Sequence, residues 1–351
     1  MPETSVPTAA TPLPPANARL GLRPSLSCVM PAYNEATNLM RFVPEVMQAL
    51  HRLCDRVELI IVNDGSKDRT VDVVLALAAQ YPEVVLVDLT RNFGKEAALT
   101  AGLAEAHGDL VLVMDADGQH PLDLVPQMLS LWREGSDVVY ALRETRDDQT
   151  WLHALFAKFF YGLVNYNSRV KIPENAGDFR LMDRAVVQAL NHLPETNRFM
   201  KGLYAWVGFK STALSYAPLP RTEGVSHFGF RRAASLALTG LVAFSSLPLR
   251  LFAVIGGLIS VAALIYGCWV VIEHFVNHNA VPGYATLAAG MMFFSGIQLL
   301  SIGVLAEYVA RIYEEVKHRP IYLSKGRHGR GLAPAPEPQG SAARPAQMHL
   351  I

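Results

Sequence analysis

Cysteine is scarce in this 351-residue chain: Cys28, Cys54 and Cys268 lie too far apart for a CxxC pair or a zinc-ligand cluster. That excludes a disulfide scaffold and leaves three thiols as packing residues in a reduced compartment. Net charge is absent as well. The 31 Lys and Arg balance 31 Asp and Glu, which argues for no nucleic-acid partner. No GxxxxGK[ST] occurs, so the chain is not a P-loop nucleotidase. No GxGxxG follows the first apolar run, which disfavours a dinucleotide-binding domain. Neither HExxH nor GxSxG is present, so those zinc-hydrolase and serine-hydrolase arrangements are missing too. Residues 1–24 are rich in Pro, Ala and Thr and lack the apolar core of a signal peptide; they read as a disordered lead-in.

Charge of either sign is also missing from two long apolar stretches, residues 251–272 and 284–306. At about 1.5 Å rise per helical residue, each is long enough for the roughly 30 Å hydrocarbon core of a bilayer. Arg231, Arg232 and Arg250 precede the first stretch. Arg311 and the basic residues of 317–330 follow the second, and the connection 273–283 has no Lys or Arg. The positive-inside rule then places both termini and the large preceding domain in the cytoplasm, with the connection outside. The expected address is the inner (cytoplasmic) membrane, with two spans within residues 248–310. Residues 231–247 read either as an interfacial juxtamembrane helix or as the start of the first span. Residues 311–351 read as a basic, largely disordered cytoplasmic tail. Two helices make a poor channel; an anchor in membrane lipid, or a homo-oligomer interface, suits them better.

Residues 25–230 carry the chemistry. Apolar, β-branched runs at 26–30, 58–62, 84–87, 110–114 and 137–141 have the character of strands buried on both faces. Helical patterns at 38–53, 68–80 and 95–107 alternate with them. This alternation predicts an α/β, doubly wound, mostly parallel sheet, with ligands at the C-terminal ends of its strands. Four of those ends carry polar or special residues: "PAYNE" from Pro31, "NDGS" from Asn63, "RNFGK" from Arg91 and "DADGQ" from Asp115. Each alone is ordinary turn chemistry. Their convergence on one sheet edge is not. Residues two apart in extended chain point the same way, so Asp115, Asp117 and Gln119 can share one side. Carboxylate and amide oxygens without His or Cys suit Mg2+ or Mn2+, which bind phosphates. Arg91, Lys95 and Arg143 can add positive charge for a diphosphate.

Taken in order, "VMPAYNE", "IIVNDGS", "RNFGKEAALTAG", "VMDADGQHP", "GDFRLM" and the paired apolar stretches resemble the family-2 glycosyltransferases. More narrowly they resemble the polyprenyl-phosphate glycosyltransferases. The resemblance implies a GT-A (Rossmann-like) domain and an inverting transfer. A sugar, with glucose the first choice, leaves a nucleotide-sugar donor, with UDP the first choice. It joins a polyprenyl phosphate acceptor at the cytoplasmic face. The motifs then carry roles by resemblance. Pro31, Tyr33, Glu35, Asp64 and Arg143 fall at nucleotide-sugar-binding positions. Asp115 and Asp117 form the DxD pair, with Gln119 as the amide beside the metal. Asp117 and Gln119 are the expected ligands, and Asp115 leans to the nucleotide side. Asp178 is either a base or the partner of an arginine. Arg221 opens an RxxGxSK element, in which His227 stands where lysine is usual. A neutral imidazole brings no fixed charge, so His227 titrates in its place or Arg231 or Arg232 supplies the charge. No glutamine begins a QxxRW element, which disfavours a processive synthase. The rival from another class is a non-catalytic nucleotide-binding subunit that scaffolds a lipid-sugar flippase.

Overall fold

The computed structural model of the chain describes residue 19, residues 22–143, 176–196 and 198–216, scattered positions between 255 and 272, and residues 283–332. Strands β1 (Leu26–Ala32), β2 (Val57–Asn63), β3 (Val84–Leu89) and β4 (Leu110–Val113) alternate with helices α1 (Ala36–Leu53), α2 (Thr70–Gln80) and α3 (Lys95–Glu105). Next come α4 (Leu124–Arg133), β5 (Val138–Arg143), β6 (Ala176–Asp183), α5 (Arg184–Asn191), α6 (Met200–Trp206) and β7 (Ser211–Tyr216). The described chain closes with α7 (Tyr284–Val316) and β8 (Ser324–His328). All eight strands join one sheet in the order β7-β5-β6-β4-β1-β2-β3-β8.

Each of the five expected strands and three expected helices is present, with ends shifted by a few residues. The sheet is mixed as well as mostly wound in parallel. β4–β1–β2–β3 and β5–β7 pair parallel. β6 runs antiparallel to both β4 and β5, and β8 antiparallel to β3. Alternation along each strand explains the two apolar layers. Leu26, Cys28 and Met30 of β1 face a cluster with α1, α2 and α4, as do Leu59 and Ile61 of β2. Val29, Ile60, Val62, Val111 and Val113 face the opposite cluster with α3, α5 and α6. Both faces are covered, so these strands are apolar throughout. Cys28 and Cys54 are buried free thiols, as expected of packing residues.

Two of the disordered-tail expectations need correction. Arg19 lies in the supposed lead-in yet is buried at 2% exposure. Its guanidinium donates to the carbonyls of Trp132 and Ser136 and pairs with Asp137 at 2.9 Å. Buried charge is tolerated there because several donors are satisfied at once. Residues 311–332 are also ordered. α7 continues past 306 to Val316, and β8 covers the β3 edge that would otherwise be open. A short run of basic and polar residues gave no apolar period to read, so β8 was hidden in the sequence. Glu315 on α7 accepts hydrogen bonds from the amide and hydroxyl of Thr196, which ties the helix to the sheet domain.

Within α7, residues Phe293–Val316 are long and apolar enough to cross a membrane, with mean hydropathy 1.5. Leu299, Leu305 and Ile312 are among its exposed apolar side chains. The described positions of 255–272 are helical, and Leu258, Ile265 and Trp269 are exposed there. The expected juxtamembrane segment 231–247 lies outside the described residues.

Candidate active site

The loops after β1 and β2 are stitched together before any ligand is considered. Asn34 has φ 58°, and its amide donates to Ser66 Oγ at 2.9 Å. The Lys67 amide donates back to Asn34 Oδ1 at 2.8 Å. The Glu35 amide donates to Thr70 Oγ1, and the Ala36 amide to Asp68 Oδ2. Asp68, rather than Ser66, also takes the Thr70 amide at the start of α2. Pro31 sits within β1 opposite Val62. Tyr33 is exposed at 42%, a free aromatic face beside these loops.

Asp64 is buried at the end of β2. Its two carboxylate oxygens accept the amides of Phe93 and Gly94 at 2.7 and 3.0 Å. Burial pushes its pKa upward even against those two donors. Asp64 therefore fixes the Arg91–Gly94 loop that opens α3. Gly65, at φ +64°, lies directly against the Arg91 backbone, where a Cβ would collide. Glycine is required twice over there, by torsion and by space.

β4 ends at Val113, so the DxD stretch is a turn and not an extended segment. The alternation argument for one shared face therefore fails, and the acids meet different neighbours. Asp115 Oδ1 pairs with Lys95 Nζ at 2.7 Å. Asp117 Oδ1 accepts the Gln119 amide at 3.1 Å across the bend at Gly118, whose φ is +69°. Asp117 also lines a cleft of about 290 Å³ with Asn38, Arg41, Glu45 and Asp123. His120 serves the turn. Its Nδ1 accepts the Asp115 amide at 3.2 Å, and its ring stacks on Phe179 at 4.6 Å. Burial lowers the His120 pKa, which fits the neutral acceptor that this bond requires.

Topology brings Asp178 to the same place. Val113 of β4 is opposite Arg180 of β6 in an antiparallel pair, so Asp178 lies just past the end of β4, beside Asp115. Lys95 at the start of α3 bridges the two, with Asp178 Oδ2 also 2.7 Å from its Nζ. Burial alone would raise the Asp178 pKa. The Lys95 ammonium, with Lys201 and Arg180, outweighs it and holds the carboxyl below its usual range. Burial would likewise lower Lys95, but its two carboxylate partners raise it. Next to them Glu96 accepts the Met200 amide at 3.1 Å, and burial together with Asp178 pushes its pKa up to about 7. Arg180 donates to the Gly177 carbonyl at 2.7 Å and stacks 3.5 Å above the Tyr204 ring.

The structure thus collects Glu35, Asp64, Asp115, Asp117 and Asp178 at one sheet edge. Arg143 ends β5 at that edge, opposite Tyr216. Arg221 and His227 lie outside the described residues. Among the described residues, no three His, Cys, Asp or Glu side chains form a ready metal cage. Sequence reading gave Lys95 only a supplementary charge, and it overlooked Glu96, Lys201 and Tyr204. Lys95 carried a signal, as the basic end of a Gly-containing loop. Glu96 and Tyr204 carried none, because their burial is a tertiary fact.

A mostly parallel α/β sheet with an acidic cluster at its strand ends is the class of fold and site present, and comparison with known proteins gives the family. Residues 27–190 match glycosyl transferase family 2, and residues 247–312 match the GtrB C-terminal hairpin. The chain belongs to glycosyl transferase family 2 and is a glycosyltransferase with the GT-A architecture. It is 43% identical over 298 residues to an uncharacterized glycosyltransferase of Synechocystis sp., covering 85% of this chain and 94% of that one. It is 42% identical over 303 residues to the SfII prophage-derived bactoprenol glucosyl transferase of Shigella flexneri, covering 86% and 98%. Among solved structures, a mannosyltransferase from Pyrobaculum calidifontis in complex with GDP-Man and Mn2+ superposes with a TM-score of 0.45. It has 17% identity and covers 87% of this chain and 89% of that one.

Proposed function

We propose that this enzyme moves glucose from UDP-glucose to polyprenyl phosphate at the cytoplasmic face of the membrane. The observation that carries the reading is the Lys95 bridge between Asp115 and Asp178, which joins the DxD turn to the acid of the "GDFR" strand. The names of the bactoprenol glucosyl transferases, similar over most of the chain, support the sugar and the carrier. The long apolar helix α7 supports the membrane setting. Two spans within 248–310, with both termini cytoplasmic, complete the proposed topology. An interface between copies through the spans belongs to the same reading.

The reaction is a displacement at the anomeric carbon. A phosphate oxygen of the acceptor forms a bond to that carbon. The bond to the departing UDP oxygen breaks, and its electron pair leaves with UDP. The stereochemistry inverts. A phosphate monoester is already largely anionic near neutral pH, since its second pKa is about 6. It needs little proton removal. Asp178 is held ionised far below that range, which favours its role as the orienter of Lys95 over that of a base. Arg221, with His227 or the nearby arginines, would meet the acceptor phosphate and offset its charge.

The donor set fits a hard divalent cation. Asp115, Asp117 and Gln119 offer only oxygen ligands, and the negative charge of both acids helps raise the Glu35 pKa after burial does so. Such an excess of acid is what Mg2+ or Mn2+ would neutralise, and the bound ion would stabilise charge on the leaving diphosphate. Asp117 and Gln119 would hold it; Pro31, Tyr33, Glu35, Asp64 and Arg143 would line the nucleotide side.

The test uses membranes that contain the protein, supplied with a panel of labelled sugar nucleotides. Label from UDP-glucose should enter the organic-solvent extract as a polyprenyl-phosphate-linked sugar. No organic-phase label from any donor overturns the reading; label from another donor only corrects the sugar.

A further inference from the structure

We infer that the strand following the membrane helix is a positioning element for the donor nucleotide, acting through a relay from Lys325 to the loop after β2. The inference rests on the donor reading above. β8 returns from α7 to the outer edge of β3, with Asp88 opposite Gly326. Lys325 Nζ pairs with Asp88 Oδ2 at 3.1 Å. The other oxygen of Asp88 accepts Asn63 Nδ2 at 2.6 Å. Asn63 is 1% exposed, and its Oδ1 accepts the Ser66 amide at 3.1 Å. Ser66 Oγ then holds the Asn34 amide.

Each link has a single fixed direction. The Ser66 amide can only donate, so the buried Asn63 presents its oxygen to Ser66 and its NH2 to Asp88. That orientation sets the turn that carries Asp64 and Gly65. A second contact acts on the neighbouring loop. The Thr90 amide donates to the Leu323 carbonyl at 2.9 Å, one residue before the Arg91–Gly94 segment that Asp64 grips. The strand thus pins both loops of the nucleotide side from outside the site, without reaching the ligand. Plain edge protection needs the backbone ladder alone; it needs neither the Lys325–Asp88 pair nor a buried amide locked between β3 and the loop after β2.

Full-length protein in detergent is titrated with UDP, and its transfer kinetics are measured. Asp88→Ala should raise the Kd for UDP about tenfold, the scale of one lost charged hydrogen bond. Lys325→Met should raise it about threefold, because that pair is half-exposed. Lys325→Arg should restore it. In the two weakened variants, Asp88→Ala and Lys325→Met, KM for the donor rises while kcat stays near wild type. Unchanged Kd and KM in both weakened variants overturns the relay and leaves the donor reading intact, as does a lowered Tm with unchanged Kd. Absence of UDP binding by the wild type sinks both.

Discussion

One ammonium group organises the centre of the site. Lys95 bridges Asp115, in the turn after β4, and Asp178, on β6, which would otherwise repel across a short gap. Removing it in Lys95→Met leaves two facing carboxylates, and transfer should fall by about 10²–10³-fold, the usual scale for one preorganised charge. Asp178→Asn should slow transfer while its pH–rate profile keeps the wild-type shape; loss of the acidic limb would instead make Asp178 a base. Glu96 gives a stability prediction with a definite sign. Its pKa rises from 4.5 to about 7 in the folded protein, so the neutral form is favoured by folding. Its contribution is complete below the unfolded value and is lost as pH rises through the folded one. Between about pH 5 and 8, wild type should lose Tm with rising pH, and Glu96→Gln should lose less. Equal slopes for the two proteins would contradict the assignment.

At the scale of elements, the loops matter more than the strands that carry them. The strands and first helices were legible because burial on two faces leaves continuous β-branched runs between polar turns. The identity of the acids at their ends was legible for the same reason, since Asp64, Asp115 and Asp117 follow those runs directly. Their individual surroundings were not. Whether Asp64 grips a loop, or Asp115 a lysine, depends on which strand lies beside which. β6 pairs antiparallel with β4 across a long separation in sequence, and no local pattern announces that. Two glycines separate loop strain from crowding. Gly65→Ala meets both a positive φ and the Arg91 backbone, and should cost on the order of 1–3 kcal/mol in denaturant unfolding and weaken UDP binding. Gly118→Ala has the same torsion, but the nearest side-chain atom is 3.8 Å away at Phe42, so only the roughly 1 kcal/mol of strain applies.

Across the described residues, the sheet of the transferase domain is finished by the segment that follows the long apolar helix α7. Glu315 holds Thr196, and β8 completes the β3 edge, and both contacts join the helix to the domain. That joining was invisible in the sequence, where residues 311–351 offered only basic charge. If α7 crosses the bilayer as proposed, the protein should stay in the membrane pellet after carbonate extraction, and its release would contradict that topology. A direct part in sugar transfer for the acids at the strand ends, rather than for a scaffolded partner, is the core of the proposed function. It is tested most directly by purified wild type and Asp117→Ala, matched for Tm, with labelled UDP-glucose, polyprenyl phosphate and Mn2+. Lipid-linked product is expected from the wild type, with at least about a 10²-fold loss in the variant; wild-type rates from Asp117→Ala would rule that role out.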